Sequence, residues 1–223
     1  MIRLWGRPSS ARTQKVLWTL SELELDFEFI LASGTMGPGG HVSKGNKPFG
    51  VVDTEEYRRI NPLGRVPSID DDGFVLWESN SIVRYLAMQY GADLLYGNDI
   101  KVFASASRWL DFENNELLPP MHDLAMQLIR LPQERRDPSV RDAARQRFIA
   151  ALRIVDDQLS RTRFMTGDRF TYGDIAIGIR AHRWVLFDLE SPDFPNVRRW
   201  YAEVTARPAF HKWTAQPEHH LEG

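Results

Sequence analysis

The sequence predicts an α/β unit over residues 1–90, a connecting stretch at 91–99, and an all-helical part over residues 100–223. Three observations carry that division. The N-terminus reads as strand, helix, strand, an order that normally gives a right-handed parallel crossover. Asp72-Gly73 stands between the short apolar runs 66–69 and 74–77, a strong local hairpin signal. After residue 99 the apolar residues recur at helical spacing only.

The elements follow in order. Residues 2–5 form a short strand and residues 6–10 a turn. Ala11, Val16, Leu17, Leu20 and Leu23 then recur as one face of a helix, which places Ser9 or Ser10 at its first turn, next to Arg12. Residues 25–31 alternate imperfectly, as a strand packed on both faces does. Glycine density between 33 and 50 removes any period, so a long loop is expected there, carrying His41, Lys44 and Lys47. These three either supply positive charge to a bound carboxylate or belong to a solvated insertion. Residues 54–60 allow one helical turn. The hairpin follows, and then a helix from about Ser79 to Tyr90, which Gly91 is expected to end in a left-handed C-cap.

Beyond the connection, Ile100, Phe103, Ser107, Leu110 and Leu117 suggest a long helix stopped by Pro119-Pro120, with a second helix over 122–131. Asp137-Pro138 is a favourable helix start, and the stripe Val140, Ala144, Phe148, Ala151, Leu152, Val155, Leu159 follows it. Thr171 to Asp174 resembles a capping box. It opens a helix that is apolar on most sides and is therefore expected at the centre of the bundle. Two further helices cover 196–204 and the segment after Arg207. Tryptophans 109, 184, 200 and 213 are candidates for the core or for a subunit contact.

Composition narrows the function classes. A chain of 223 residues can bury a substantial core. The formal net charge of -2 gives no reason to expect a nucleic acid partner. Arginines between 130 and 147 are mixed with Glu134, Asp137 and Asp142, which reads as a solvated face. The six histidines show no metal-ligand spacing. No segment reads as a signal peptide or as a membrane span, so a soluble, cytoplasmic protein is expected. With zero cysteines, any sulfur nucleophile must arrive with a substrate.

Two features of the central stretch suggest a site. Pro67 stands at the entrance of a strand, either as a plain edge proline or in a cis bond that turns the main chain of Val66 outward. Ser79, after Glu78, begins a helix, so its amide is either an ordinary unpaired donor or a contact for a carboxylate. A small ligand with an amide backbone and a carboxylate would satisfy both.

Several pieces, in order, resemble the cytosolic glutathione transferase superfamily, and specifically its bacterial serine-type (theta-like) members. They are Ser9-Ser10 through Lys15-Val16-Leu17-Trp18, Asn61-Pro62 with Gly64-Arg65-Val66-Pro67, Glu78-Ser79-Asn80-Ser81-Ile82, the 167–174 capping element, and Arg207-Pro208-Ala209-Phe210. The resemblance implies a thioredoxin-like N-terminal domain that binds glutathione and a helical C-terminal domain that offers the electrophile surface. It implies glutathione as co-substrate and no other cofactor. Pro67 would be the cis proline, with Val66 facing the cysteinyl part of glutathione, and Glu78 and Ser79 would hold the γ-glutamyl end. The glycyl contact falls to Arg65 or to His41, Lys44 or Lys47, in a region where residues 37–48 read as an insertion.

In serine-type members the catalytic hydroxyl lies six residues before the valine that Val16 resembles. That register selects Ser10, with Ser9 one position away and Arg12 beside them. The hydroxyl would hydrogen-bond the glutathione sulfur and favour its thiolate, which then attacks a small hydrophobic electrophile. Arg108, Trp109, Phe112, Asn115 and Met121 are the candidate second-substrate residues. The alternatives are a glutathione-dependent disulfide oxidoreductase or peroxidase, and a non-catalytic glutathione-binding protein. Members of the superfamily usually form homodimers.

Overall fold

The computed structural model describes residues 1–32 and 51–214, so the stretch holding His41, Lys44 and Lys47 lies outside the described residues. Strand β1 (Ile2–Gly6) runs parallel to β2 (Phe27–Leu31), with helix α1 (Ala11–Glu22) crossing between them. On its other side β1 pairs antiparallel with β3 (Ser68–Asp71), and β3 with β4 (Phe74–Trp77), so the sheet order is β2-β1-β3-β4. Alternation along β1 separates two cores. Ile2 and Leu4 join the main core beneath α1, whereas Trp5 packs with Val52, Ala32 and Tyr57 of helix α2 (Glu55–Ile60). The hairpin turn has positive φ at both Asp72 and Gly73, 49° and 96°, the conformation that matches strand twist.

Helix α3 (Ser79–Tyr90) begins where the sequence predicts but ends differently. Gly91 has φ -120°, not a left-handed value, and a Cβ there would lie 2.7 Å from Leu23 Cδ2. Close packing against α1 is what requires the glycine. The chain turns at once into α4 (Ala92–Leu95), and the left-handed residues are Gly97 and Asn98.

The expected stop at Pro119-Pro120 does not occur. Helix α5 (Ile100–Phe112) passes into a π-helical turn at Glu113–Leu117 and straight on into α6 (Leu118–Ala125), with a second π turn at Met126–Arg130. The wider π turn resets the register, so both prolines fall in the first turn of α6, where a missing N–H is tolerated. Helix α7 (Pro138–Arg161), capped by Asp137, buries the predicted stripe except for Val140, which stays exposed. Helix α8 (Tyr172–Phe187) is buried along most of its length, and α9 (Pro195–Thr205) and α10 (Pro208–Trp213) complete the helical part. Trp109, Trp184 and Trp200 are core residues, and Trp213 is half-buried beside Phe27 and Phe29.

The capping box at α8 does more than start a helix. Asp174 is fully buried and accepts from the Thr171 and Met165 amides at 2.8 and 2.9 Å and from Trp200 Nε1 at 2.8 Å, tying α8 to α9. The two parts of the chain are joined as firmly. Arg207 forks onto Glu22 at 2.7 and 2.6 Å, and Trp213 Nε1 donates to Ser21 Oγ at 3.0 Å.

At the centre of the join lies a buried charge network. Glu113, in the π turn, is 0% exposed and meets Lys15 Nζ of α1 at 2.8 Å, Arg180 Nε of α8, and Asn80 Nδ2 of α3 at 3.1 Å. Burial alone would raise the Glu113 carboxyl, but the charges of Arg180 and Lys15 outweigh it and hold the group at about 2. Glu113→Gln leaves two cations buried without their counter-charge and is expected to cost about 3–5 kcal/mol, read from urea unfolding. Because the folded value lies below the unfolded one, the contribution is whole above about pH 4.5 and is lost as pH falls toward 2. A variant that kept the same loss of stability on acidification would show that Glu113 is not its source.

Candidate functional site

A cleft of about 560 Å³ opens where the β1–α1 turn and the 63–66 turn of the α/β part face α6, the second π turn and α8. Ser9, Ser10 and Arg12 line it, as do Arg65 and Val66. Ser10 is the N-cap of α1. Its Oγ accepts from the Thr13 amide at 3.3 Å, which leaves its own O–H to donate elsewhere. The turn that carries it is held from below: Gln14 Nε2 donates to the Pro8 carbonyl at 2.8 Å, and Arg183 Nη2 donates to the Ser9 carbonyl at 2.8 Å and to Gln14 Oε1 at 2.9 Å.

The opposite lip is equally determined. Tyr57 Oη and Asn61 Nδ2 both donate to the Arg65 carbonyl, at 2.7 and 2.8 Å, which fixes the turn before Val66. The Val66–Pro67 bond is cis and Pro67 is buried. Glu78 and Ser79 do not line this cleft. Ser79 is buried at the start of α3, and Glu78 is exposed with φ 70°, a conformation that costs a non-glycine residue and tends to persist at functional positions. Glu78 nonetheless acts electrostatically on Arg12, whose guanidinium is lowered by burial and by Arg180 and raised by Glu78 and Glu113.

The expected second-substrate residues separate. Met121 lines the cleft; Arg108, Trp109, Phe112 and Asn115 do not. Arg108 and Asn115 are exposed, and Trp109 is buried edge-on against Phe112 at 5.3 Å. The π turn at 113–117 is the cause: it adds a register shift, so that α6 rather than α5 presents Leu118, Met121, His122 and Ala125 to the opening.

Four arginines in the lining were not among the residues expected from the sequence: Arg7, Arg130, Arg180 and Arg183. Arg130, grouped with the solvated residues 130–147, is instead half-buried in the wall of the cleft. Arg180 and Arg183 carried a signal, since two arginines one turn apart inside a helix apolar on most sides need a reason. With Arg12 and Arg65 they make six guanidinium groups, and the lining contains no Asp or Glu. Desolvation, and then the charge of Arg130, pushes Arg7 down to about 10; desolvation with Arg180, Arg7 and Arg130 does the same to Arg183. All stay cationic at neutral pH. Beside them Leu118, Ala125, Ile129 and Phe187 form an apolar wall. The site can therefore hold negative charge next to a hydroxyl donor. Among the described residues there is no group of three or more His, Cys, Asp or Glu side chains placed to hold a metal ion, and no helix is long and apolar enough to cross a membrane.

Comparison with known proteins accounts for this geometry. Residues 4–94 match the N-terminal domain family of glutathione S-transferases and residues 138–203 the corresponding C-terminal domain family. Glutathione S-transferase GstB of Escherichia coli K12 is 38% identical over 214 residues, covering 95% of this chain and 97% of its own length. Glutathione S-transferase 3 of Zea mays is 29% identical over 229 residues, covering 96% and 93%. Among solved structures, the theta class glutathione S-transferase of Xanthomonas axonopodis pv. citri with glutathione bound superposes with a TM-score of 0.86 at 33% identity, covering 96% and 97% of the two chains. Both halves of the chain, in sequence and in fold, lead to one conclusion: it belongs to the glutathione S-transferase family and is an enzyme of that kind.

Proposed function

We propose that this transferase binds glutathione along the α/β side of the cleft and activates its thiol through Ser10. The 1–90 part serves as the glutathione-binding domain, and the helical part from residue 100 onward supplies the electrophile surface. The observation that carries the reading is the cap geometry of Ser10. Its oxygen is already accepting from the Thr13 amide, so the hydroxyl proton is directed outward, at the positive end of α1 and beside Arg12. A sulfur placed there receives a hydrogen bond and a favourable potential, both of which favour thiolate over thiol. Ser9 is the weaker donor, because its carbonyl is tied down by Arg183 and its hydroxyl is not part of the cap.

The peptide part of glutathione then pairs with the main chain of Val66, and its γ-glutamyl end reaches the start of α3 at Glu78 and Ser79. Arg65 is the candidate for the glycyl carboxylate among the described residues. The thiolate attacks the electrophile by substitution or conjugate addition; the serine donates a hydrogen bond and forms no covalent bond. The neighbour in Xanthomonas, solved with glutathione bound, supports this placement. The reading places the enzyme in the cytoplasm, where glutathione is kept as the free thiol.

A homodimer is also part of the reading. Phe74 and Val75 on the edge strand β4, with Met88 and Tyr90 on α3, leave 40–57% of their surfaces exposed on one side of the α/β part. Such an apolar edge is ordinarily covered.

Three measurements test these points. In Ser10→Ala the thiol pKa of bound glutathione, followed by thiolate absorbance, should rise by about one to two units, the equivalent of one lost charge-assisted hydrogen bond. An unchanged thiol pKa removes Ser10 from the mechanism. For Ser79→Ala, calorimetry should show glutathione bound about tenfold more weakly; an unaltered dissociation constant means that Ser79 makes no contact. Sedimentation velocity should give a dimer for the unmodified chain and a monomer for Phe74→Glu, and a Phe74→Glu dimer would place the interface elsewhere.

A further inference from the structure

The charge of the cleft exceeds what glutathione needs. Glutathione carries two carboxylates and one ammonium, and its thiolate adds a single negative charge. Arg12 and Arg65, on the α/β side, stand where those charges lie in the reading above. The helical wall holds Arg130, Arg180 and Arg183 in addition, with Arg7 near enough to Arg130 for each charge to act on the other. Arg183 is committed to the Ser9 carbonyl and to Gln14. Arg180 uses Nε on Glu113, a carboxylate it shares with Lys15, and its Nη2 is buried without a partner. The Arg130 side chain makes no hydrogen bond or ion pair with the described residues, and its Nε is also buried and unsatisfied. Residues 33–50, outside the described part, contain no Asp or Glu to neutralise them.

Buried donors of one sign gathered around a cavity are costly unless something of the opposite sign fills it. The apolar residues Leu118, Met121, Ile129 and Phe187 share the same wall, so the occupant is small and partly apolar. We infer that the electrophile of this transferase is an organic anion, a small molecule with a carboxylate close to the carbon that takes the sulfur, and that Arg130 and the unpaired arm of Arg180 receive that carboxylate. The inference rests on the glutathione reading above and specifies its second substrate. For a halogenated acid the step balances without a redox partner: a sulfur lone pair forms the C–S bond, the C–halogen bond breaks with its electron pair leaving as halide, and the thiol proton has already passed to solvent. Binding the carboxylate also lowers the repulsion between a thiolate and an anionic substrate, which otherwise slows their encounter.

Iodoacetate and iodoacetamide test this, because they share the leaving group and differ in charge. The chain has no cysteine, so neither reagent alkylates a protein thiol. With each rate divided by that of the uncatalysed reaction with glutathione, kcat/KM for the acid should exceed that for the amide by about tenfold or more, and Arg130→Met should collapse the ratio by about tenfold. A ratio near or below one in the unmodified enzyme overturns the inference. So does an equal loss for both reagents in Arg130→Met together with weakened glutathione binding, since Arg130 would then be holding glutathione itself. Should Arg130→Met not fold, the unmodified enzyme decides by calorimetry: S-carboxymethylglutathione should bind about tenfold more tightly than S-carbamidomethylglutathione, and equal affinities overturn the inference. Thiolate absorbance of glutathione bound without any electrophile separates the two levels. If it is present and the charge preference absent, only the substrate assignment fails; if it is absent, the activation reading fails and takes the assignment with it.

Discussion

One buried carboxylate, Glu113, holds the site in place. It lies between Lys15 of α1 and Arg180 of α8, with Asn80 of α3 completing its hydrogen bonds, so three elements that share no local sequence meet at a single group. Ser10 caps the same helix that carries Lys15, and Arg183 follows Arg180 by one turn and holds the Ser9 carbonyl. The position of the catalytic turn relative to the helical wall is thus set through short rigid paths from one charge. Such a network adds little net stability over an apolar core, but it is expensive to break and tolerates one arrangement of its members.

The same network shapes the electrostatics of the cleft. One carboxylate serves two cations, so the helical wall keeps an excess of positive charge even where it is internally paired. Half-buried guanidinium groups remain charged because their unperturbed pKa lies so far above neutrality that desolvation and mutual repulsion cannot bring them to it. A lysine-lined cleft of the same burial would lose part of its charge. Choice of residue type therefore decides whether the site keeps its field when no anion is bound.

The π turns are the other unusual feature. They place Glu113 inward, carry two prolines without a break, and present α6 to the opening. An α-helix continued through 113–117 would present a different face, and Trp109 and Phe112 would be reasonable candidates for the wall. The exchange of α5 for α6 is a consequence of register.

Local pattern was sufficient for much of this protein. Asp72-Gly73 specifies a hairpin because few other residue pairs take positive φ twice in succession, Asp137-Pro138 and Thr171 to Asp174 specify helix starts because they satisfy orphan donors nearby, and apolar spacing identifies the central helix α8. Ser9, Ser10, Arg12 and the 64–67 turn were visible because they are short-range features of order and spacing. What depended on distant partners was not visible. Gly91 serves the approach of Leu23, Arg130 belongs to a cleft wall although its sequence neighbours are solvated, and the prolines at 119 and 120 are tolerated only after a shifted turn. The amino-acid sequence alone determined which segments are helix and strand, because caps, turns and periodicity act over a few residues. Only the tertiary structure decided which charges face one another, because the pairing of Lys15, Glu113 and Arg180 and the gathering of six arginines around one cavity arise from packing between segments far apart in the chain.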